Sequence, residues 1–153
     1  MNKIDFYRLL NEQASAIISD EPDIIANMSN LSALLFDALD DINWVGFYRV
    51  IDNELVLGPF QGKVACIRIP VGRGVCGTAV ASNETQRVDD VHQFSGHIAC
   101  DAASNSEIVI PLRKNDKVIA VLDIDSPIFS RFTDEDQLGL EAIVSMFEKV
   151  IEK

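Results

Sequence analysis

Residues 107–126 read EIVIPLRKNDKVIAVLDIDS, two runs rich in branched aliphatic residues with Asn115 and Asp116 between them. A two-residue Asn/Asp turn between such runs is the strongest hairpin signal in the chain, and it commits the fold to an antiparallel pair around which the rest must be built. A second hairpin is predicted from WVGFYRVI (44–51) and ELVLGPF (54–60), which flank Asp52-Asn53. ACIRIP (65–70) alternates apolar with polar residues as a further strand, and TQRVDDV (85–91) suits a returning one.

Helical spacing of apolar residues marks Ile4 to Ile18 and Ile24 to Leu39. Pro22 suits the first turn of the second helix, with Ser19 or Asp20 near its cap. VGRGVCGTAVAS (71–82) offers three glycines before a short helix of small residues. Thr133 to Glu152 forms a C-terminal helix, in which TDED supplies a Thr cap, an acid three residues later and a negative first turn that complements the helix dipole. The predicted class is α+β: an antiparallel sheet with helices on one side. At 153 residues, with no repeat, low-complexity segment or linker, residues 1–153 are expected to form one domain.

Net charge excludes some partners. A formal charge of −11 repels phosphate backbones and anionic lipids, so neither nucleic acid nor a membrane surface is an expected partner. No apolar run approaches the roughly 20 residues that span a bilayer, and MNKIDFYRLLNEQASAI has acids where a signal peptide has an apolar stretch. The cytosol is the expected compartment. There, three cysteines do not make a disulfide framework and point instead to transient redox chemistry.

Cys66, Cys76 and Cys100 are spaced C-x9-C-x23-C, which is neither a C-x-x-C redox motif nor a usual zinc spacing, although His92 and His97 leave a Cys/His set open. Cys100 stands out by its surroundings. FSGHIACDAASNSE (94–107) is a run of small and polar residues in which a thiol can approach a ligand, whereas a structural cysteine sits among apolar neighbours. A working thiolate needs such partial exposure together with N–H groups or a cation to lower its pKa. In VLDIDS, Asp123 and Asp125 lie on one face of a strand, where like charges raise at least one pKa if they do not simply face water. Glu107 opens the other strand of that hairpin and can join them. Trp44 and Tyr48, four apart, also share a face, either as core or as an aromatic wall around a small ligand. GRGVCG matches neither a Rossmann nor a P-loop fingerprint, so no nucleotide site is read there.

Taken together, NWVGFYRV (43–50), LVLGPFQGKVACIRIPVGRGVCGTAVAS (55–82) and VDDVHQFSGHIACDAASNSEIVIPL (88–112) resemble the free methionine-(R)-sulfoxide reductases, small GAF-domain enzymes. The likeness covers nearly the whole chain, and the cysteine spacing makes it specific. The resemblance implies a GAF-like domain with about six antiparallel strands, N- and C-terminal helices packed on one side, and a homodimer. It implies reduction of free methionine R-sulfoxide, with thioredoxin as electron donor and no bound cofactor or metal. It assigns Cys100 as catalytic, Cys66 as resolving and Cys76 as an assisting relay. Glu107, Asp123, Asp125 and Asp89 match the acidic pocket, and Trp44 and Tyr48 its aromatic wall.

The implied chemistry is coherent, because a sulfoxide sulfur is electrophilic only if its oxygen is protonated as it leaves. Cys100 would attack the sulfur while Glu107 or Asp125 supplies the proton, leaving a sulfenic acid that condenses with Cys66. Acids would also pair the α-ammonium of a free amino acid, which a residue inside a protein lacks. A non-catalytic GAF ligand sensor and a thiol redox sensor are the alternative readings.

Overall fold

The computed structural model describes residues 1–96 and 103–152. Its strands are β1 (Trp44–Ile51), β2 (Glu54–Gly62), β3 (Arg68–Pro70), β4 (Gln86–Val88), β5 (Ser106–Lys114) and β6 (Lys117–Ser126). They form one sheet in the order β3-β2-β1-β6-β5-β4, with every neighbouring pair antiparallel. Both predicted hairpins are present. Asp52 and Asn53 have φ of 51° and 62°, and Asn115 and Asp116 have φ of 53° and 62°. Two consecutive positive φ values are what a type I′ turn requires, and its twist matches that of the strands it joins.

Helices α1 (Lys3–Ile18), α2 (Ile24–Ala38), α3 (Gly74–Ser82) and α4 (Asp134–Ile151) complete the fold. The second helix begins later than its sequence suggested: Asp23 is the cap, its side chain accepting from Ala26 N at 2.9 Å, and Pro22 precedes it. The strand expected over 65–70 shortens to three residues, because Ala65 and Cys66 belong to a loop that folds against the sheet. No helix among the described residues is long and apolar enough to cross a membrane.

Strand alternation divides the apolar residues between two cores. Val45 and Phe47 of β1, Ile108 and Ile110 of β5, and Leu122 and Ile124 of β6 meet Leu10, Leu31, Leu35, Leu140 and Phe147 of α1, α2 and α4. Phe47 and Phe147 pack edge to face at 5.9 Å, and each fully buried aromatic of this kind contributes about 2–3 kcal/mol. Their neighbours in sequence, Trp44, Tyr48, Val109 and Val121, face the opposite side and pack with Val75, Cys76 and Ala79 of α3. The N- and C-terminal helices therefore share one side of the sheet as expected, whereas the short helix α3 covers the other.

The α4 start is fixed by the predicted capping box: Thr133 Oγ1 accepts from Asp136 N, and Thr133 N donates to Asp136 Oδ2 at 2.8 Å. The same buried carboxylate also receives Lys3 Nζ at 2.6 Å, Tyr7 Oη at 2.7 Å and Arg131 Nη1 at 3.3 Å. Burial alone would raise the Asp136 pKa, but Lys3, the Thr133 backbone, Tyr7 and Arg131 together hold it down at about 2. A depressed carboxylate adds stability that is complete above the unfolded pKa near 3.8 and is lost as pH falls towards 2. Asp136→Asn is expected to lower unfolding free energy by about 3 kcal/mol at pH 7, with the gap from wild type narrowing between pH 4 and pH 2. Urea titrations of both proteins across that range measure it.

Candidate active site

Strand register assembles the site. Trp44 of β1 pairs with Asp125 of β6, Asp125 with Glu107 of β5, and Glu107 with Val88 of β4, so an aromatic and two acids form one row across the sheet. Gly46, Asp123 and Val109 form the next row on the same face. This is the face turned towards α3. Of the two readings of D-x-D, the structure selects the inward one, since Asp123 is 5% exposed, Asp125 is half-buried, and both line the cleft under α3.

Gly46 gives the aromatic wall its shape. A Cβ added there would lie 2.6 Å from Cη2 of Trp44, so the indole can lie flat across the strand only because this residue has no side chain. The Trp44 ring stacks with Tyr48 at 6.0 Å and with Phe60 at 5.2 Å. Both polar tips of the predicted pair hold the β2–β3 loop: Trp44 Nε1 donates to Lys63 O at 3.1 Å and Tyr48 Oη to Cys66 O at 2.8 Å. Burial, with Asp123 and Cys76 adding to it, pushes the Tyr48 pKa up, so the phenol keeps its proton as a donor.

The glycine-rich turn brings α3 down over the acids. Gly72 and Gly74 adopt φ of 89° and 64°, and Gly77 abuts the Pro70 carbonyl where a Cβ would sit at 2.5 Å. The cleft between α3 and the sheet is lined by Trp44, Tyr48, Cys76, Glu107, Asp123 and Asp125, with Arg73 and Ser104 also contributing. Cys76 is buried and a free thiol. One ligand atom from each of Cys76, Glu107 and Asp123 lies within 4.8 Å of the others.

Burial dominates the electrostatics of these groups. Burial pushes the Glu107 carboxyl well above its usual range, and the neighbouring Asp123 and Asp125 push it further. Burial likewise raises the Cys76 thiol, aided by Asp123 and Glu107. Asp123 is raised by burial but held back by hydrogen bonds from Glu107, Cys76 and Asp125. Hydrogen bonding thus opposes burial at Asp123 but adds to it at Glu107 and Cys76, and the Asp123 Oδ1 has no hydrogen-bond partner among the described residues. A cation held by Cys76, Glu107 and Asp123 would require the thiol and Glu107 to shed protons against these shifts.

The predicted residues are brought together unevenly. Trp44, Tyr48, Cys76, Glu107, Asp123 and Asp125 converge on the cleft. Cys66 sits half-buried in the adjoining loop, its sulfur engaged in a disulfide. Asp89 stands apart: it is exposed and outside the cleft lining, because Val88 carries the pocket-side row and the next residue turns away. His92 is bonded to Asn105 Oδ1 at 3.0 Å and lies outside that lining too. Cys100 and His97 lie outside the described residues. Gly46 was missed from sequence, although a glycine inside an aromatic strand is itself a signal of close approach. Arg73 and Ser104 carried no comparable signal.

Comparison with known proteins places this geometry. The GAF domain family model matches residues 11–151. The chain is 61% identical over 151 residues to the free methionine-R-sulfoxide reductase of Escherichia coli, covering 99% of this chain and 92% of that protein. Among solved structures, that of Staphylococcus aureus fRMsr in complex with substrate aligns with a TM-score of 0.91 at 61% identity, covering 95% of each chain. The Neisseria meningitidis free methionine-R-sulfoxide reductase in complex with its substrate aligns with a TM-score of 0.94 at 44% identity, covering 99% of this chain and 91% of that one.

Proposed function

The chain belongs to the free methionine-R-sulfoxide reductase family of GAF-domain proteins, and we propose that it reduces free L-methionine (R)-sulfoxide to L-methionine, with thioredoxin restoring its thiols. The observation that carries this reading is the cluster of buried Glu107 and Asp123 with half-buried Asp125, set beneath the Trp44 and Tyr48 wall. A sulfoxide is a polar S–O group beside a methyl and an alkyl chain, and it needs a proton on one side and apolar surface on the other.

In the proposed reaction, the Cys100 thiolate attacks the sulfoxide sulfur. Glu107 delivers its proton to the sulfoxide oxygen, and the hydroxyl so formed passes from the substrate sulfur to the Cys100 sulfur. The transient bond between the two sulfurs breaks with its electron pair staying on the substrate, and methionine departs to leave Cys100 as a sulfenic acid. Cys66 then attacks that sulfur, expelling water and forming a Cys66–Cys100 disulfide. Two thiols of thioredoxin reduce the disulfide by exchange and are themselves oxidised. No step uses a metal or organic cofactor. Cys76, buried with its sulfur within 4.8 Å of carboxylate oxygens of Glu107 and Asp123, is assigned here to the acid cluster ahead of any relay.

Free amino acid is preferred for an electrostatic reason. Asp123 presents an unpartnered carboxylate oxygen, and Asp125 lies one row away on the same cleft wall. An α-ammonium satisfies these acids, whereas an amide nitrogen cannot; a lost charge-assisted hydrogen bond costs about 1.5–3 kcal/mol. In an NADPH-coupled assay with thioredoxin and thioredoxin reductase, the R epimer is expected to turn over and the S epimer not. N-acetylation should reduce kcat/KM by at least tenfold. Equal rates for both epimers, or for the free and acetylated compounds, would refute this assignment.

A further inference from the structure

The distribution of charge along the chain has one conspicuous break. Of 24 acidic residues, none falls between Glu54 and Glu84, and that interval contains Lys63, Arg68 and Arg73 on a protein of net charge −11. It also holds two exposed aliphatic side chains. Val64 is 89% exposed and Ile67 67%, and between them in sequence lies the disulfide-bonded Cys66. The Cys66 and Ile67 carbonyls accept from Tyr48 Oη at 2.8 Å and Leu57 N at 2.9 Å, so this loop is fixed from beneath while its apolar side chains face outwards. Arg68 is partly neutralised by Glu54 at 2.8 Å, whereas Lys63 and Arg73 make no ion pair among the described residues.

We propose that the Lys63–Arg68 loop, with Val64 and Ile67 at its crest, is the docking face for the dithiol protein that reduces this enzyme, an apolar surface ringed by acids around its own thiols. The inference rests on the reductase reading above and specifies where its electron donor binds. In that reading Cys66 is the sulfur attacked, since Cys100 must leave as the thiolate that serves the next turnover. The attacking sulfur of the donor bonds to Cys66, and the Cys66–Cys100 bond breaks with Cys100 leaving as thiolate. The donor's second thiol then displaces Cys66, which takes up a proton, and the donor departs oxidised. A partner must therefore touch Cys66, and the surface it meets there is aliphatic and cationic. An acid-free strip also removes the repulsion that an acidic donor would meet elsewhere on a −11 protein.

Ile67→Asp tests the proposal by placing a charge on the crest while leaving the backbone bond to Leu57 in place; Ile67→Val is the control. Using thioredoxin, the KM for thioredoxin is expected to rise at least tenfold in Ile67→Asp and to stay within twofold of wild type in Ile67→Val. Turnover driven by dithiothreitol and the KM for sulfoxide should be unchanged in both. A thioredoxin KM for Ile67→Asp within twofold of wild type overturns the docking face, and so does an equal loss with dithiothreitol, which would make Ile67 structural. A wild type that releases no methionine with dithiothreitol is a different failure, that of the reductase reading itself.

Discussion

Serine at position 100 is expected to leave no turnover of methionine R-sulfoxide with any reductant, a loss of at least ~10⁴-fold, because an alcohol of pKa far above neutrality has no nucleophilic anion to offer the sulfur. Cys66→Ser separates the two halves of the reaction. It retains the nucleophile and the acid cluster, so one equivalent of methionine per chain should appear in a single burst, after which the sulfenic acid lacks the resolving thiol of Cys66 and recycling stalls. Quantifying methionine after rapid mixing, and trapping the sulfenic acid with dimedone, measures both. A burst in Cys100→Ser would transfer the nucleophile to another thiol. Steady-state rates in Cys66→Ser equal to wild type with thioredoxin would remove Cys66 from recycling.

Glu107→Gln is expected to lower kcat by about 10²–10⁴ while KM changes only a few-fold, the usual range for removing a positioned general acid. Glutamine preserves the volume of a residue that is 8% exposed and can still hydrogen-bond Asp123, but it has no proton to transfer. The pH profile gives the distinguishing signature. Burial and two neighbouring carboxylates raise the Glu107 pKa, so the acid keeps its proton to higher pH than an exposed glutamate and loses it as pH climbs through the raised value. Wild-type kcat should therefore fall on the alkaline side, and that limb should be absent from Glu107→Gln. Because these acids titrate together, the limb reports the cluster, and an unchanged kcat would move the donor role to Asp125.

Much of this was legible in the chain alone. Turns at Asp52-Asn53 and Asn115-Asp116, the Thr133 capping box, and the same-face pairs Trp44/Tyr48 and Asp123/Asp125 follow from local geometry, since a two-residue turn, a helix start and strand alternation each involve only a few consecutive residues. The resemblance carried by the cysteines and HIACD-type block supplied the chemical family, as the comparisons bear out. Local periodicity, however, fixes which residues share a face and leaves open which face is covered.

That second question was settled by packing between distant parts of the chain. The register of β1 on β6 and β6 on β5 puts Trp44, Asp125 and Glu107 in one row, and α3, crossing to the side opposite the other helices, turns that row into a cleft. The same geometry turned Asp89 away, laid the indole across the bare backbone of Gly46, and drew Asp123, which sequence alone would place as readily in water, into a buried cluster with Glu107 whose carboxyl is pushed up. The sequence by itself determined the elements, the turns and the candidate chemistry. The tertiary structure decided burial, and with it protonation, because the dielectric and the neighbouring charges that set a carboxyl's pKa come from residues far away in the chain.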